Sequence, residues 1–278
     1  MKIINNKIMC AVSGGRSSAF MAHHIHTSPL YANREKLYIF CNTGLEKQET
    51  IDFLYQIKHG WGIPLVLIEG VYSMQKDVGV SSKVVSFDNL SMDGTPYVNC
   101  IAQLNKYKKT GVPSTAIPYC SEYLKTRPAH HYAKNHFQTT KYSKAIGYRR
   151  EDIPKRVTIS ELNIEKGKRI CPLLQDFSPA IGNPELNSFF NRNPFKLGIH
   201  SKFGNCQLCF KKGKKLLIES IQDGVSVLDF YRKMESKYDN KFFRDNLSVN
   251  QLVALAKTGI QTTLLDDVED FGCVCTFS

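Results

Sequence analysis

What the chain lacks narrows its class first. None of its apolar runs reaches the ~18 residues that a membrane-spanning helix needs, so no segment is expected to cross a bilayer. The N-terminal stretch MKIINNKIMCAV carries a lysine but neither the hydrophobic region nor the small-residue cleavage site of a signal peptide. A cytoplasmic protein is the expectation. Internal repeats and low-complexity tracts are absent, which sets aside repeat architectures. Acidic side chains are in deficit, 25 against 37 Lys and Arg, leaving a net charge of +12. Such a mean field suits nucleic acid or small polyanions. The excess is clustered at Lys211–Lys215 and at 148–156, and a merely solvated basic surface is the competing reading. The oligomeric state is not legible.

The 278 residues, 42% of them hydrophobic, suffice for one large α/β domain or a core domain with a smaller addition. The nine cysteines are an odd number, which argues against a closed set of disulfides. In a reducing compartment, closely spaced cysteines point instead to a metal or redox site. Cys10, Cys41 and Cys100 sit in apolar surroundings and read as core.

Strand-like apolar runs at 7–12, 36–42, 63–69 and 142–148 alternate with amphipathic helical stretches at 17–26 and 45–61. This alternation predicts a Rossmann-like parallel sheet flanked by helices, with ligand-binding loops along the edge where the strands end. Residues 70–115 read as an irregular insertion that edges the site. Beyond about 157 the strand pattern fades into loops and helices, KKLLIESIQDG and LSVNQLVALAKTG being the clearest. We expect a nucleotide-binding α/β domain over 1–156 and a more helical, Cys-containing region over 157–278, packed on the first.

Between the first strand and the first helix lies Ser13-Gly14-Gly15-Arg16-Ser17-Ser18. Glycines there let the backbone approach an anion, the helix start offers N–H groups, and the hydroxyls and Arg16 add donors. The segment is neither a Walker A loop nor G-x-G-x-x-G, and an ordinary connection is the alternative.

Further segments add a resemblance. VSGGRSSAFM resembles the PP-loop, S-G-G-x-(D/T)-S, of ATP pyrophosphatases and of the phosphoadenosine phosphosulfate (PAPS) reductase family. FCNTGLEKQETIDFL is similar to that family's N-T-G-x-E-x-x-E-T-x-x-F run. IPYCSEYLKTRPAHHY resembles its C-x-x-x-x-K-x-x-P segment, and IGYRREDIPKR its G-x-R motif. The later Cys-bearing segments are similar to PAPS-reductase-like proteins of phages and mobile elements. The resemblance implies an adenine nucleotide α-hydrolase-like fold holding ATP or PAPS. Phosphates would lie in the 13–18 loop, with Asn42, Thr43, Gly44 and Glu46 in the neighbouring turn, joined by Gly147 and Arg156. Lys125 and Arg149 would be phosphate or sulfate ligands. Ser17 stands where pyrophosphatases usually carry Asp. Mg²⁺ is expected wherever a triphosphate is cleaved.

Cys206 and Cys209 form a C-x-x-C, and Cys273 and Cys275 a second close pair. Together they could close a structural Zn²⁺ site. The resemblance implies another set: Cys120 with Cys206 and Cys209 around a [4Fe-4S] cluster, a fourth ligand coming from Cys171, Cys273 or Cys275. In a third reading Cys275 or Cys273 is a nucleophile, although the reductases' E-C-G-x-H motif is missing. Three functions follow. The first is ATP cleavage to AMP and pyrophosphate that activates an acceptor, for sulfur transfer to nucleic acid with a sulfur-donor protein as partner. The others are a sulfonucleotide reductase and a nucleotide-gated nucleic-acid or partner-binding module.

Overall fold

The computed structural model describes residues 5–153, 157–158, 168–200, 203–204 and 206–258. Its centre is a six-stranded sheet of β1 (Lys7–Ala11), β2 (Glu35–Asn42), β3 (Leu65–Tyr72), β4 (Val80–Val85), β5 (Ser143–Ala145) and β6 (Arg169–Ile170), in the order β4-β3-β2-β1-β5-β6. All neighbours run parallel except β3 and β4. The fold is thus α/β and Rossmann-like. Residues on both sides of position 156 contribute strands to the sheet.

Alternation along the inner strands decides the layers, because successive side chains point to opposite faces. Ile8, Cys10, Val12, Tyr38, Phe40, Leu65 and Leu67 face one side. There they meet α1 (Arg16–Thr27), α2 (Gln48–Gly60) and α6 (Asn183–Arg192), after the single-turn α5 (Pro172–Gln175). Met9, Ala11, Leu37, Ile39, Cys41 and Ile68 face the other side and pack on α4 (Arg127–Phe137). Strands buried on both faces read as continuous apolar runs, which is why the sequence shows them so clearly. On α1, Ser18, Met21, Ala22 and Ile25 are buried at helical spacing and form its core-facing stripe.

A second apolar core lies beyond the ends of β2 and β3. It joins α3 (Thr95–Lys108) to α7 (Lys214–Gln222), α8 (Leu228–Tyr238) and α9 (Val249–Lys257), with Tyr119, Leu124, Phe210 and Phe242 between them. Residues 70–115 are therefore not irregular. They hold β4, an antiparallel edge strand, and α3, whose buried Tyr97, Cys100, Ile101 and Leu104 are interleaved with Asn, Gln and Lys that hide the period. Cys10, Cys41 and Cys100 are buried core thiols, and burial pushes the first two well above an ordinary thiol. No helix among the described residues is long and apolar enough to cross a membrane.

A buried carboxylate braces this second core. Glu235 on α8 accepts hydrogen bonds from the Val249 N–H at the start of α9 (3.0 Å) and from the Phe242 N–H (3.4 Å). Burial raises its pKa by more than these bonds lower it. The folded state then holds the proton more tightly than the unfolded chain, so Glu235 costs stability as pH rises through its titration range. Urea unfolding from about pH 4 to about pH 7 checks this. The stability of Glu235→Gln relative to wild type should move in the variant's favour as pH rises. A difference independent of pH would contradict it.

Candidate functional site

β1 is the central strand: the chain leaves it toward β2 on one side and later returns as β5 on the other. In doubly wound sheets the crevice at such a reversal, outside the carboxyl ends of the strands, is where ligands bind. The loops after β1 and β5 flank this crevice and touch. A Cβ on Gly147 would lie 2.9 Å from the Ser17 carbonyl oxygen and 3.1 Å from Ser18 Cα, so only glycine lets the second loop close on the first.

The first loop is built by local forces. Gly14 has φ +76°, the left-handed region that glycine adopts at no steric cost, and a Cβ there would run into Thr50 of α2. Gly15 is the N-cap of α1. The Ser18 hydroxyl donates to the Gly15 carbonyl (2.9 Å) and accepts the Ser13 N–H (3.0 Å), while the Ser13 and Ser18 hydroxyls lie 3.0 Å apart. The helix start behind this loop carries no acidic side chain in its first turn. Its N–H groups and the positive end of the helix dipole favour an anion. Ser17 is half-buried in the same turn.

Two arginines border the loop. The Arg16 Nη1 donates to Asn187 Oδ1 (2.8 Å), and the Arg149 Nη1 donates to Asn183 Oδ1 (2.6 Å), both acceptors lying on α6. Arg149 also pairs through Nε with the buried Asp152 (3.2 Å), which accepts the Arg149 N–H as well (2.8 Å). Burial, then the positive charge of Arg149, pulls the pKa of Arg16 below its ordinary value. Two like charges within reach of one another beside donor-rich backbone form an electrostatic well for a polyanion.

The turn after β2 is organised from within. The Asn42 amide donates to Glu69 (2.8 Å) and to the Ser91 carbonyl (2.7 Å), and its oxygen accepts the Gly44 N–H (3.2 Å). Burial alone would raise Glu69, but hydrogen bonds from the Ser91 N–H and Asn42, with the Lys83 ammonium, hold its carboxyl below its ordinary value. Gly44, at φ +81°, passes so close to Gly94 that a Cβ would sit 2.8 Å from its backbone. Residues 91–94 do edge the turn, as expected of that segment. Glu46 is buried and turned inward: it accepts from the Thr43 hydroxyl (2.8 Å), the Thr43 N–H (3.2 Å) and the Leu45 N–H (3.1 Å).

Behind this turn lies a small cavity lined by Thr43, Tyr97, Cys120, Ser121, Lys125, Cys206, Cys209 and Tyr231, among others. Sequence positions far apart meet here. Lys125 is buried, carried on a wide π-helical turn (Glu122–Thr126) that leads into α4, an irregularity often found at functional sites. The Cys206 sulfur lies 3.1 Å from the Thr43 hydroxyl and 3.7 Å from Glu46 Oε1. The C-x-x-C turn puts Leu208 at φ +48°, a strained value for a branched residue. The Tyr231 hydroxyl lies within hydrogen-bond distance of the Gln207 and Leu208 carbonyls (3.0 and 2.9 Å), bracing that turn. On the other side of the turn, Gln207 helps line a more open cavity of about 600 Å³, with Lys47, Glu49, His200, Phe203 and Asp223.

No protein-family model matches the chain. An uncharacterised nin region protein of Escherichia phage lambda, ORF290, is 26% identical over 205 residues, 72% of this chain. The match spans 64% of that protein's length. Among solved structures, the U34-tRNA thiolase NcsA from Methanococcus maripaludis, with its [4Fe-4S] cluster, is similar over 99% of this chain and 81% of its own, at 16% identity and a TM-score of 0.39.

The structure thus brings Ser13 to Ser18, Gly147 and Arg149 to one crevice, and Cys120, Lys125, Cys206 and Cys209 to one cavity, with Asn42 to Glu46 between the two. Arg156, Cys273 and Cys275 lie outside the described residues. Cys171 is buried at the start of α5 and packs with Ile146, Tyr148 and Val157. The lysine run at 211–215 is not a free surface patch. Lys212 is buried, and the Lys211 ammonium donates to Ser121 (2.8 Å) beside the cavity. Sequence reasoning missed Asn183, Asn187 and Tyr231, since a pair of asparagines on a helix and a tyrosine in an apolar stretch carry no distinctive spacing.

Gly147→Ala should push the β5 loop off the phosphate loop. ATP affinity, followed by calorimetry, should fall at least tenfold while the circular dichroism spectrum is kept. Unchanged affinity would separate the two loops functionally.

Proposed function

We propose that this chain is a PP-loop adenine-nucleotide enzyme that cleaves ATP to AMP and pyrophosphate to activate an acceptor, for sulfur transfer to nucleic acid. The observation that carries the reading is the juxtaposition of two sites across one turn. An anion-binding loop with Arg16 and Arg149 lies on one side of Asn42–Glu46, and a cavity shared by Lys125 and three cysteines lies on the other. Among ATP-using chemistries, adenylation followed by attack of sulfur is the one that needs both.

In the first step an acceptor oxygen attacks the α-phosphorus, and pyrophosphate departs with the electron pair of the broken P–O bond. The loop N–H groups and Arg16 would hold the departing pyrophosphate, and Arg149 would stabilise charge on the phosphorus being attacked. The loop itself offers hydroxyls rather than carboxylates, and Asp152 is engaged by Arg149, so Mg²⁺ would arrive with the nucleotide. In the second step a sulfur nucleophile displaces AMP from the acceptor. Lys125 would present its ammonium to the anion passing between the two sites. The 600 Å³ cavity, with Phe203 and Gln207 in its wall, has the size and side chains to receive an acceptor base.

Three thiols in one cavity are the donor chemistry of an iron–sulfur cluster or of zinc. As the chain stands, no group of three His, Cys, Asp or Glu among the described residues is gathered closely enough to hold an ion. Cys120, Cys206 and Cys209 would be the ligands, and a cluster bound there would supply a place to carry sulfur. No part of the nucleotide step is assigned to it.

The test is a product assay with Mg²⁺ and radiolabelled ATP on protein purified without oxygen, alongside iron, sulfide and zinc analysis. AMP and pyrophosphate should appear, Gly15→Asp should abolish both, and Lys125→Met should lower turnover by roughly 10²-fold with ATP binding kept. Thioredoxin-dependent sulfite release from PAPS, or ADP and phosphate as products, would overturn the reading.

A further inference from the structure

α6 holds both arginines of the crevice through neutral groups. Asn183 and Asn187 lie one helical turn apart, so their amide oxygens stand on the same stripe of the helix. One accepts from Arg149 at 2.6 Å and the other from Arg16 at 2.8 Å. A different choice is made for the neighbouring arginine on the same loop. Arg150, which is exposed, donates to the Glu185 carboxylate (3.4 Å) and to the Ala180 carbonyl (3.0 Å). The other carboxylates nearby are committed elsewhere. Glu151 accepts the Asn183 N–H at the start of α6 (2.8 Å), Glu185 accepts the Gly182 N–H (2.8 Å), and Asp152 sits on Nε of Arg149.

An amide oxygen and a carboxylate oxygen orient a guanidinium equally well, but only the carboxylate cancels its charge. We infer that Asn183 and Asn187 are positioning residues that hold Arg149 and Arg16 as a paired clamp for the polyphosphate of the nucleotide while leaving both charges available to it. The clamp rests on the nucleotide reading proposed above and names the part of α6 that serves it. It also explains why two guanidinium groups are held within electrostatic reach of each other at all. Without an anion between them their mutual repulsion favours separation, and the two side-chain amides oppose it.

The assignment separates from a structural role because the two predict opposite responses to added charge. Asn183→Asp and Asn187→Asp are nearly isosteric and give each arginine a carboxylate in place of an amide. If the asparagines serve only to fasten α6 to the loops, each substitution should raise or keep the thermal midpoint and leave anion binding unchanged. If they position a clamp, the midpoint should again be kept or raised, but the dissociation constant for inorganic pyrophosphate should rise about tenfold. Its salt dependence should also become shallower, as fewer free charges meet the anion. Ser188→Asp, on the same helix but with its side chain outside these contacts, controls for long-range charge and should change the constant by no more than about twofold. Asn187→Ala, which removes the acceptor without adding charge, should weaken binding less than Asn187→Asp does. Wild-type affinity in both Asp variants would overturn the clamp while leaving the nucleotide reading intact. Failure of the wild-type protein to bind either ATP or pyrophosphate would overturn the nucleotide reading itself.

Discussion

The buried carboxylate of Glu46 sits where the sheet meets the second, helical core. Removing a carboxylate from water costs several kcal/mol unless donors replace the lost solvent. Glu46 takes its donors from the turn that it closes: two backbone N–H groups, the Thr43 hydroxyl and, at longer range, the Cys206 thiol. Its own carbonyl accepts from the Gln207 side chain (3.2 Å), and the Gln207 N–H donates to the Leu45 carbonyl (2.7 Å). The turn after β2 and the C-x-x-C turn are therefore one hydrogen-bonded unit. The crevice at the β1–β5 reversal and the cysteine cavity keep their relation to each other through it. A carboxylate spent in this way cannot also meet a nucleotide, so the groups left to face phosphate are the loop amides, the serine hydroxyls and the arginines.

This unit explains the pattern of glycines better than any need for flexibility. Gly14, Gly44 and Gly147 each stand where another chain segment passes too close for a Cβ: Thr50, Gly94 and the backbone of Ser17 respectively. Three contacts pull the loops after β1, β2 and β5 together over the ends of the strands. A crevice assembled from such close approaches is preorganised, and its donors need little rearrangement when an anion arrives.

What could be read in advance follows from how local each feature is. The phosphate loop was legible because its turn, its cap and the strand before it lie in adjacent residues. Buried parallel strands were legible because both faces are apolar. β4 was hidden, since an edge strand with Ser81, Ser82 and Lys83 at its centre has no continuous apolar signal. α3 was hidden by Asn99, Gln103 and Asn105 between its core positions. The lysine run at 211–215 was misjudged as surface because charge in a sequence carries no information about burial, and Lys212 lies inside. Cys120 could be grouped with Cys206 and Cys209 only through resemblance, and their shared cavity arises from packing of α3, α8 and the π-helical turn.

The same argument separates two kinds of site residue. Groups such as Ser13, Gly14 and Arg16 act through the backbone conformation that surrounds them, so sequence spacing identifies them. Lys125, Tyr231, Asn183 and Asn187 act through contacts made across more than twenty residues, and only the tertiary structure gives those contacts. Lys125 illustrates the difference. Its side chain is taken out of solvent by a π-helical turn, an arrangement less regular than an α-helix and kept only where the surrounding packing holds it. The Lys125 carbonyl accepts from the Cys41 thiol (3.5 Å), tying this turn to the end of β2. The strand that ends at the Asn42–Glu46 turn therefore also fixes the lysine behind it. Placing a cation and three thiols behind the nucleotide turn is a property of the whole fold, and no single segment of the sequence contains it.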